Sequence, residues 1–359
     1  MAGRRTRYGY QEYRGRDGQH SSVLIFIVVL LAVLLIAGVV FMAVMGDYIR
    51  YTPTGVEIDW PWRNQEPSAA PVFSDPVVVE TGDIVVTVEP APGSAYAPGS
   101  VLAAVTVTAE QLRSGTAAQA VADAGGSALV VEMKAGTGKL AWQSQTELAA
   151  SLYVNAGDGG VADAIRELAR DGDLYLVARV HCFRDQFLTN AWIGPLVSRQ
   201  GRIWYDPDGI GWSSPVNQEA ADYLSALCLE LADMGFDEIL LDDAGYPCRG
   251  EIDELATDDN RPEDRTAPVA AFLQHLSGEL REKGVYLSVY AYEPLSPESE
   301  VYSGLTAGLL ARSAGRVWLD EAVDREYYES ILSAAGVSNL AARVVAPAGE
   351  TAGGGSWYR

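Results

Sequence analysis

A chain of 359 residues, 48% of them hydrophobic, is long enough for one large domain with appendages. Its formal net charge of -22 and pI near 4.4 exclude nucleic acid as a partner, because neutralising phosphates takes a basic surface. Three Cys make no disulfide framework, and His20, His181 and His275 are too scattered for zinc-ligand spacing, so neither a metal nor a cofactor is expected.

Residues 1–21 are polar and carry Arg4, Arg5, Arg7, Arg14 and Arg16. No charge then interrupts VLIFIVVLLAVLLIAGVVFMAVM, from Val23 to Met45. About 20 apolar residues cross a bilayer as a helix. The run exceeds the roughly 7 to 15 residues of a signal-peptide core, and the MGDYIRY that follows is a poor cleavage site. The reading is an uncleaved signal anchor over 22–46, a single pass through the cell membrane. The arginines before it keep the tail 1–21 in the cytoplasm and place the remainder outside. Residues 47–99, punctuated by Pro, Ala and Gly, read as an extracellular stalk. A short hairpin is predicted inside it, pairing 77–79 with 84–88 around Thr81-Gly82-Asp83.

From Val101 onward, short apolar runs alternate with helical patterns, the signature of βα units and a parallel sheet. The expected architecture is α/β: a (β/α)8-type TIM barrel over 100–347. Strands are predicted at 101–107, 128–133, 174–180, 239–241, 285–290, 316–319 and 342–345. Helices are predicted at 116–124 and around Ile165 and Leu168, ended by Gly172. Another is expected after Ser214 and Pro215 as cap and first residue, burying Leu224, Leu227 and Leu231. A last one buries Phe272, Leu273 and Leu276 and ends at Gly284. No eighth strand is evident. Residues 348–359 read as a flexible tail, which leaves the barrel incomplete or closed by an early element. Cys182 and Cys248 fall near neighbouring strand ends, within reach of a single bridge, with free buried thiols the expected state.

The most informative stretch is Gly235 to Pro247, GFDEILLDDAGYP. Ile239, Leu240 and Leu241 suit a strand buried on both faces, and the run ends in Asp242 and Asp243. Two carboxylates there are costly to desolvate, so that end opens onto water or a ligand. It is also the end of a parallel barrel where sites are built. Other strand ends carry Glu132, Asp185, Glu293, Asp320 and Glu321. Arg179 lies inside an apolar run and needs a carboxylate partner or a ligand anion. A long loop after the third strand holds Trp192, Trp204, Tyr205, Asp206, Asp208 and Trp212; its aromatic faces suit sugar rings or packing on one another. The acidic segment 251–264 lacks calcium-loop spacing and reads as a solvated loop.

This set of strand-end acids suits glycoside hydrolysis, which needs two carboxyl groups astride the bond. The preferred pair is Asp242 as nucleophile and Glu293 as acid/base, from adjacent strands about 5 Å apart. Arg179 is the expected partner of Asp242. Asp185, Asp243, Trp212, Tyr246, Tyr292 and Glu132 are the candidate substrate contacts. The alternative is a barrel of the same make that binds a polysaccharide, glycan or surface protein without catalysis, and a third reading is a scaffold whose acids only hold loops.

GFDEILLDDAGYP resembles the GFDEIQFDYVRFP-type motif of a family of glycoside hydrolase-like TIM barrels, distantly similar to the α-amylase clan. SALVVEMKAGTGKLAW, ARVHCFRD and WSSPVNQEAADY are similar to that family's second-strand, third-strand and following-helix motifs, in the same order over 101–295. The resemblance implies a TIM barrel acting on a glycan. Arg179, Asp185, Asp242 and Pro247 match it. Glu132, Ala135, Asp243 and Gly245 depart from its Asp, Asp, Tyr and Arg.

Overall fold

The computed structural model describes residues 49–52, 55–58, 97–156, 159–256, 261, 264–292, 297–350 and 354–359. The chain divides into two compact units, Met1–Val85 and Val86–Arg359. In the first, β1 (Ile49–Thr52) and β2 (Gly55–Ile58) form an antiparallel hairpin with Thr52 opposite Gly55. Both strands lie in the stretch 47–99 expected as a stalk. The apolar run 23–45 and the hairpin predicted at 77–88 lie outside the described residues. Among the described residues, no helix is long and apolar enough to cross a membrane.

The second unit is a closed barrel of eight parallel strands: β3 (Ala103–Val107), β4 (Ala128–Lys134), β5 (Tyr175–His181), β6 (Glu238–Asp242), β7 (Tyr286–Ala291), β8 (Arg316–Leu319), β9 (Val344–Pro347) and β10 (Ser356–Tyr358). Sequential strands are neighbours, and β10 closes the ring between β9 and β3. With helices between the strands, this is a (β/α)8 TIM barrel.

The seven expected strands form. The eighth corrects the expectation of an incomplete barrel with a flexible tail, because Ser356–Tyr358 is barrel wall. Trp357 N donates to Leu102 O at 2.8 Å, Arg359 N to Ala104 O at 3.1 Å, and Thr106 N to Arg359 O at 2.7 Å. The Ser356 hydroxyl accepts from Leu102 N and donates to Ala341 O, both at 2.9 Å. Three residues after a glycine run carry too few side chains to show a period. One helix start also differs. The helix Gln218–Met234 is capped by Asn217, whose side chain accepts from Ala220 N at 2.9 Å, so Ser214 and Pro215 belong to the turn before it. Asn217 has the extended backbone of a cap and is the residue whose side-chain oxygen reaches the third helical amide.

Side-chain alternation sorts the strands into two cores. Leu129, Val131, Leu176, Ala178, Val180, Ile239, Leu241, Leu287 and Val289 join the large cluster shared with the helices. Ala104, Ala128, Val130, Val177, Leu240, Tyr290, Trp318 and Val345 form a separate cluster that fills the barrel. Below that filling, Glu238 and Arg316 are both buried and form an ion pair. Tyr175 OH and Trp318 Nε1 donate to Glu238 at 2.9 and 3.0 Å, and Arg316 Nε donates to Ala342 O at 3.0 Å. The buried Glu238 and Arg316 at the amino-terminal end of the barrel are thus matched to each other.

Candidate active site

The mouth is built from inward-facing positions one step above the barrel filling. On β5, the alternation that turns Tyr175 and Val177 inward brings Arg179 and His181 after them. β6 contributes Asp242, and β4 contributes Glu132, whose Cα lies opposite Arg179. Arg179 Nε and Nη2 donate to Asp242 Oδ2 at 2.8 and 2.5 Å. The buried guanidinium and the strand-end carboxylate are each other's partners, as expected. Burial works against the charge on Arg179, and Asp242 outweighs it, so its pKa moves up. The guanidinium also stacks on the Tyr290 ring, 4.5 Å from its centroid. Asp242 is fully buried, and its Oδ1 has no hydrogen-bond partner. That orphan acceptor is the conspicuous exception in an otherwise satisfied mouth.

Asp243 follows in the left-handed region, φ 51°, a conformation Asp tolerates better than most residues. The bend turns its carboxylate back to His181, with Nδ1 to Oδ2 at 2.6 Å. His181 Nε2 lies 3.4 Å from Glu132 Oε2 and 3.6 Å from Asp242 Oδ2. One imidazole therefore touches three carboxylates. Burial alone would lower its pKa; the hydrogen bonds to Asp243 and Glu132 and the charge of Asp242 outweigh burial and raise it to about 9. The hydrogen bond from His181 holds Glu132 below the ordinary carboxylate range. Burial pushes Asp243 up, against the pull of the same imidazole. His181, Asp242 and Asp243 also offer three donor atoms within 4.8 Å of one another, the geometry of a cation pocket. Arg179 and, when protonated, His181 bring positive charge to the same acids.

Tyr290, Tyr292 and Tyr358 cover the β7–β10 side. Tyr290 OH lies 3.0 Å from Tyr358 OH and donates to Asp320 Oδ2 at 3.2 Å, and Tyr358 OH donates to Leu319 O at 2.8 Å. Burial, then the charges of Asp242 and Asp243, push the Tyr292 hydroxyl pKa up. Beside these residues opens a cavity of about 360 Å³, lined by Arg184, Trp212, Asp243, Tyr246, Tyr290 and Tyr292 among others.

The predicted contacts thus divide. Glu132, Arg179, Asp242 and Asp243 meet at the mouth, while Trp212, Tyr246 and Tyr292 line the cavity with Asp243. Trp212 is nearly buried, donating Nε1 to Asp206 Oδ2 at 3.1 Å, and Arg184 Nε pairs with that carboxylate at 2.6 Å. Asp185 departs from its expected role. It is buried, pairs with Lys134 Nζ at 2.8 Å, and accepts from Phe187 N and Leu188 N as a helix cap. A carboxylate so fully engaged holds the loop after β5 and has no capacity left for a sugar. Glu293 and part of the acidic segment lie outside the described residues. Cys182, Cys228 and Cys248 are free thiols, so the bridge considered between Cys182 and Cys248 is absent. His181, Tyr290 and Tyr358 were missed as site residues. The alternation of two finds His181 from Arg179 and Tyr290 from Tyr292, whereas Tyr358 lies on β10, which no period in the sequence marks.

Residues 101–300 match the family described as "Putative glycosyl hydrolase domain". The chain belongs to that family. The glycosyl hydrolase domain match takes in β3 to β7 and with them Glu132, Arg179, His181, Asp242 and Asp243. Among solved structures, the chain is similar to a hypothetical protein from Ruminiclostridium thermocellum ATCC 27405, at 21% identity and TM-score 0.45, covering 52% of this chain and 96% of that one. It is also similar to a chitinase from Chromobacterium violaceum ATCC 12472, at 18% identity and TM-score 0.39, covering 68% and 67%. A third is the GH20 exo β-N-acetylglucosaminidase from Vibrio harveyi, at 10% identity and TM-score 0.47, covering 69% and 41%. No curated protein matches the chain.

Proposed function

We propose that the chain is a glycoside hydrolase acting on a polysaccharide or other glycan by a two-carboxylate mechanism. The observation that carries this reading is the fully buried Asp242, paired on one oxygen with Arg179 and unpaired on the other. A carboxylate with one anchored and one unsatisfied oxygen suits the nucleophile, or the anion that faces an oxocarbenium-like centre. Around it, Glu132, Asp242 and Asp243 face Arg179 and His181, with Arg184 beside Asp243. Carboxylates gathered at one point favour a cationic transition state. Glu293, one residue beyond the cavity-lining Tyr292, is assigned as acid/base. Glu132 and Asp243 accept from sugar hydroxyls, and Trp212, Tyr246 and Tyr292 present ring faces.

A second reading has its own support: Asp242 is fully buried and does not line the cavity, which Asp243, Tyr290 and Tyr292 border. In that reading the barrel binds a glycan at the cavity without turnover. The test is to screen the unit Val86–Arg359 against a polysaccharide panel, scoring binding separately from reducing-end release. Hydrolysis predicts release that falls at least about 10³-fold in both Asp242→Asn and Glu293→Gln, with binding kept. Binding without release supports the second reading, and release indifferent to both substitutions rejects the assigned roles.

The domain's place in the cell is part of the proposal. The uncharged run 23–45 behind five arginines supports a single-pass anchor with residues 1–21 cytoplasmic and the glycosyl hydrolase domain outside.

A further inference from the structure

His181 lies where no substrate contact is needed to explain it, and every group that faces it is charged or held. From β4 come Glu132, 3.4 Å from Nε2, and Lys134, whose Nζ donates to the His181 carbonyl at 2.8 Å. From β6 come Asp242 and Asp243, at 3.6 Å from Nε2 and 2.6 Å from Nδ1. Arg179 precedes it on β5, and Tyr292 faces Asp242 from β7. At Gly136 a Cβ would come within 2.5 Å of the Arg184 guanidinium and 3.3 Å of His181 Nδ1, so the β4 loop packs directly over the ring. Lys134 is itself locked to the buried Asp185, which fixes the strand end under the imidazole. Ring and backbone are both held, in an orientation where each nitrogen meets a carboxylate oxygen.

We infer that His181 is a positioning residue: a doubly donating imidazolium that ties Asp243 through Nδ1 and spans Glu132 and Asp242 through Nε2, setting where the mouth carboxylates stand. The two carboxylates on Nε2 lie no further apart than the two distances to that nitrogen allow. Without the cation, like charges at this separation repel, and Glu132, half exposed, turns away. Arg179 hydrogen-bonds Asp242 Oδ2, and His181 Nε2 faces the same oxygen at 3.6 Å, so the ring acts on Asp242 through its charge and on Asp243 through a hydrogen bond. The inference rests on the hydrolase reading for its kinetic consequence and on the geometry alone for its spectroscopic one.

The spectroscopic test needs no substrate. In the unit Val86–Arg359, ¹⁵N spectra of the His181 ring, assigned by its loss in His181→Gln, show both nitrogens protonated at neutral pH. Deprotonation follows with a midpoint near 9. The midpoint drops in Glu132→Gln and again in Asp243→Asn. A neutral ring at pH 7, or a midpoint indifferent to both substitutions, overturns the inference whether or not the protein is an enzyme. The kinetic test uses the polysaccharide that is cleaved. His181→Gln lowers kcat about 100-fold with little change in KM, the scale expected of a misplaced catalytic group, and removes the step near pH 9 from the wild-type pH profile while the limb set by the acid Glu293 stays. Unchanged kcat, or a step near pH 9 that survives the substitution, overturns it. If no polysaccharide is cleaved, the hydrolase reading falls while the ring titration still decides the role of His181.

Discussion

Arg179 and Asp242 face each other across unequal burial: the guanidinium side chain keeps 27% of its exposure and the carboxylate none. Removing the Arg strands a buried anion, whereas removing the anion leaves a cation that still reaches water. Arg179→Met is therefore expected to cost about 3–5 kcal/mol and Asp242→Asn markedly less, an asymmetry that urea unfolding of the two variants measures. His181 gives a pH signature of its own. Its folded pKa, about 9, exceeds the ordinary 6.5, so the folded state holds the proton more tightly than the unfolded one. That contribution is complete below pH 6.5 and is lost as pH rises through 9, up to about 3 kcal/mol for a buried ring. Melting temperatures should fall across that window, and the fall should shrink in His181→Gln.

Elements differ in how much they reveal before folding. β5 to β7 are apolar runs with acids or aromatics at their ends, so both the strands and their chemistry could be read from the residues. Arg179 betrayed its partner because an apolar run tolerates a cation only with an anion. His181 carried no such mark. Its meaning depends on Glu132 and Asp243, which come from two other strands, and on the backbone turn at Asp243. Asp185 misled for the converse reason: a strand-end acid looks the same whether it meets solvent or a buried Lys134 from the neighbouring strand. β10 was invisible because its three residues are defined by the edges they pair with. Deleting residues 355–359 should leave β3 and β9 with open edges. The expected outcome is a lower, broader calorimetric transition and self-association on size exclusion. Ser356→Ala, which removes the hydroxyl's hydrogen bonds but keeps the strand, should cost only about 1–2 kcal/mol.

At the scale of the molecule, the unit Val86–Arg359 has its own barrel, its own filling and a buried ion pair below it. Expressed alone, it should unfold in one cooperative transition with coincident near- and far-ultraviolet circular dichroism. The full chain should sediment with membranes and should lose that association when residues 22–46 are deleted. Fractionation in alkaline carbonate separates an integral anchor from surface adsorption. Protease added to intact cells should reach the barrel's loops if the proposed orientation holds, and should spare them if it is inverted.

The seam between β3 and β10 joins residues some 254 positions apart, as in the bond from Leu102 N to the Ser356 hydroxyl. A chain emerging residue by residue must hold β3 unpaired on one flank until nearly the whole domain has been synthesised. Closure of such a distant pair is slow, because the entropy of a long loop is lost before its contacts form. A nascent chain spends that interval with an exposed strand flank, so dependence on chaperones during synthesis is written into the barrel's final stitch.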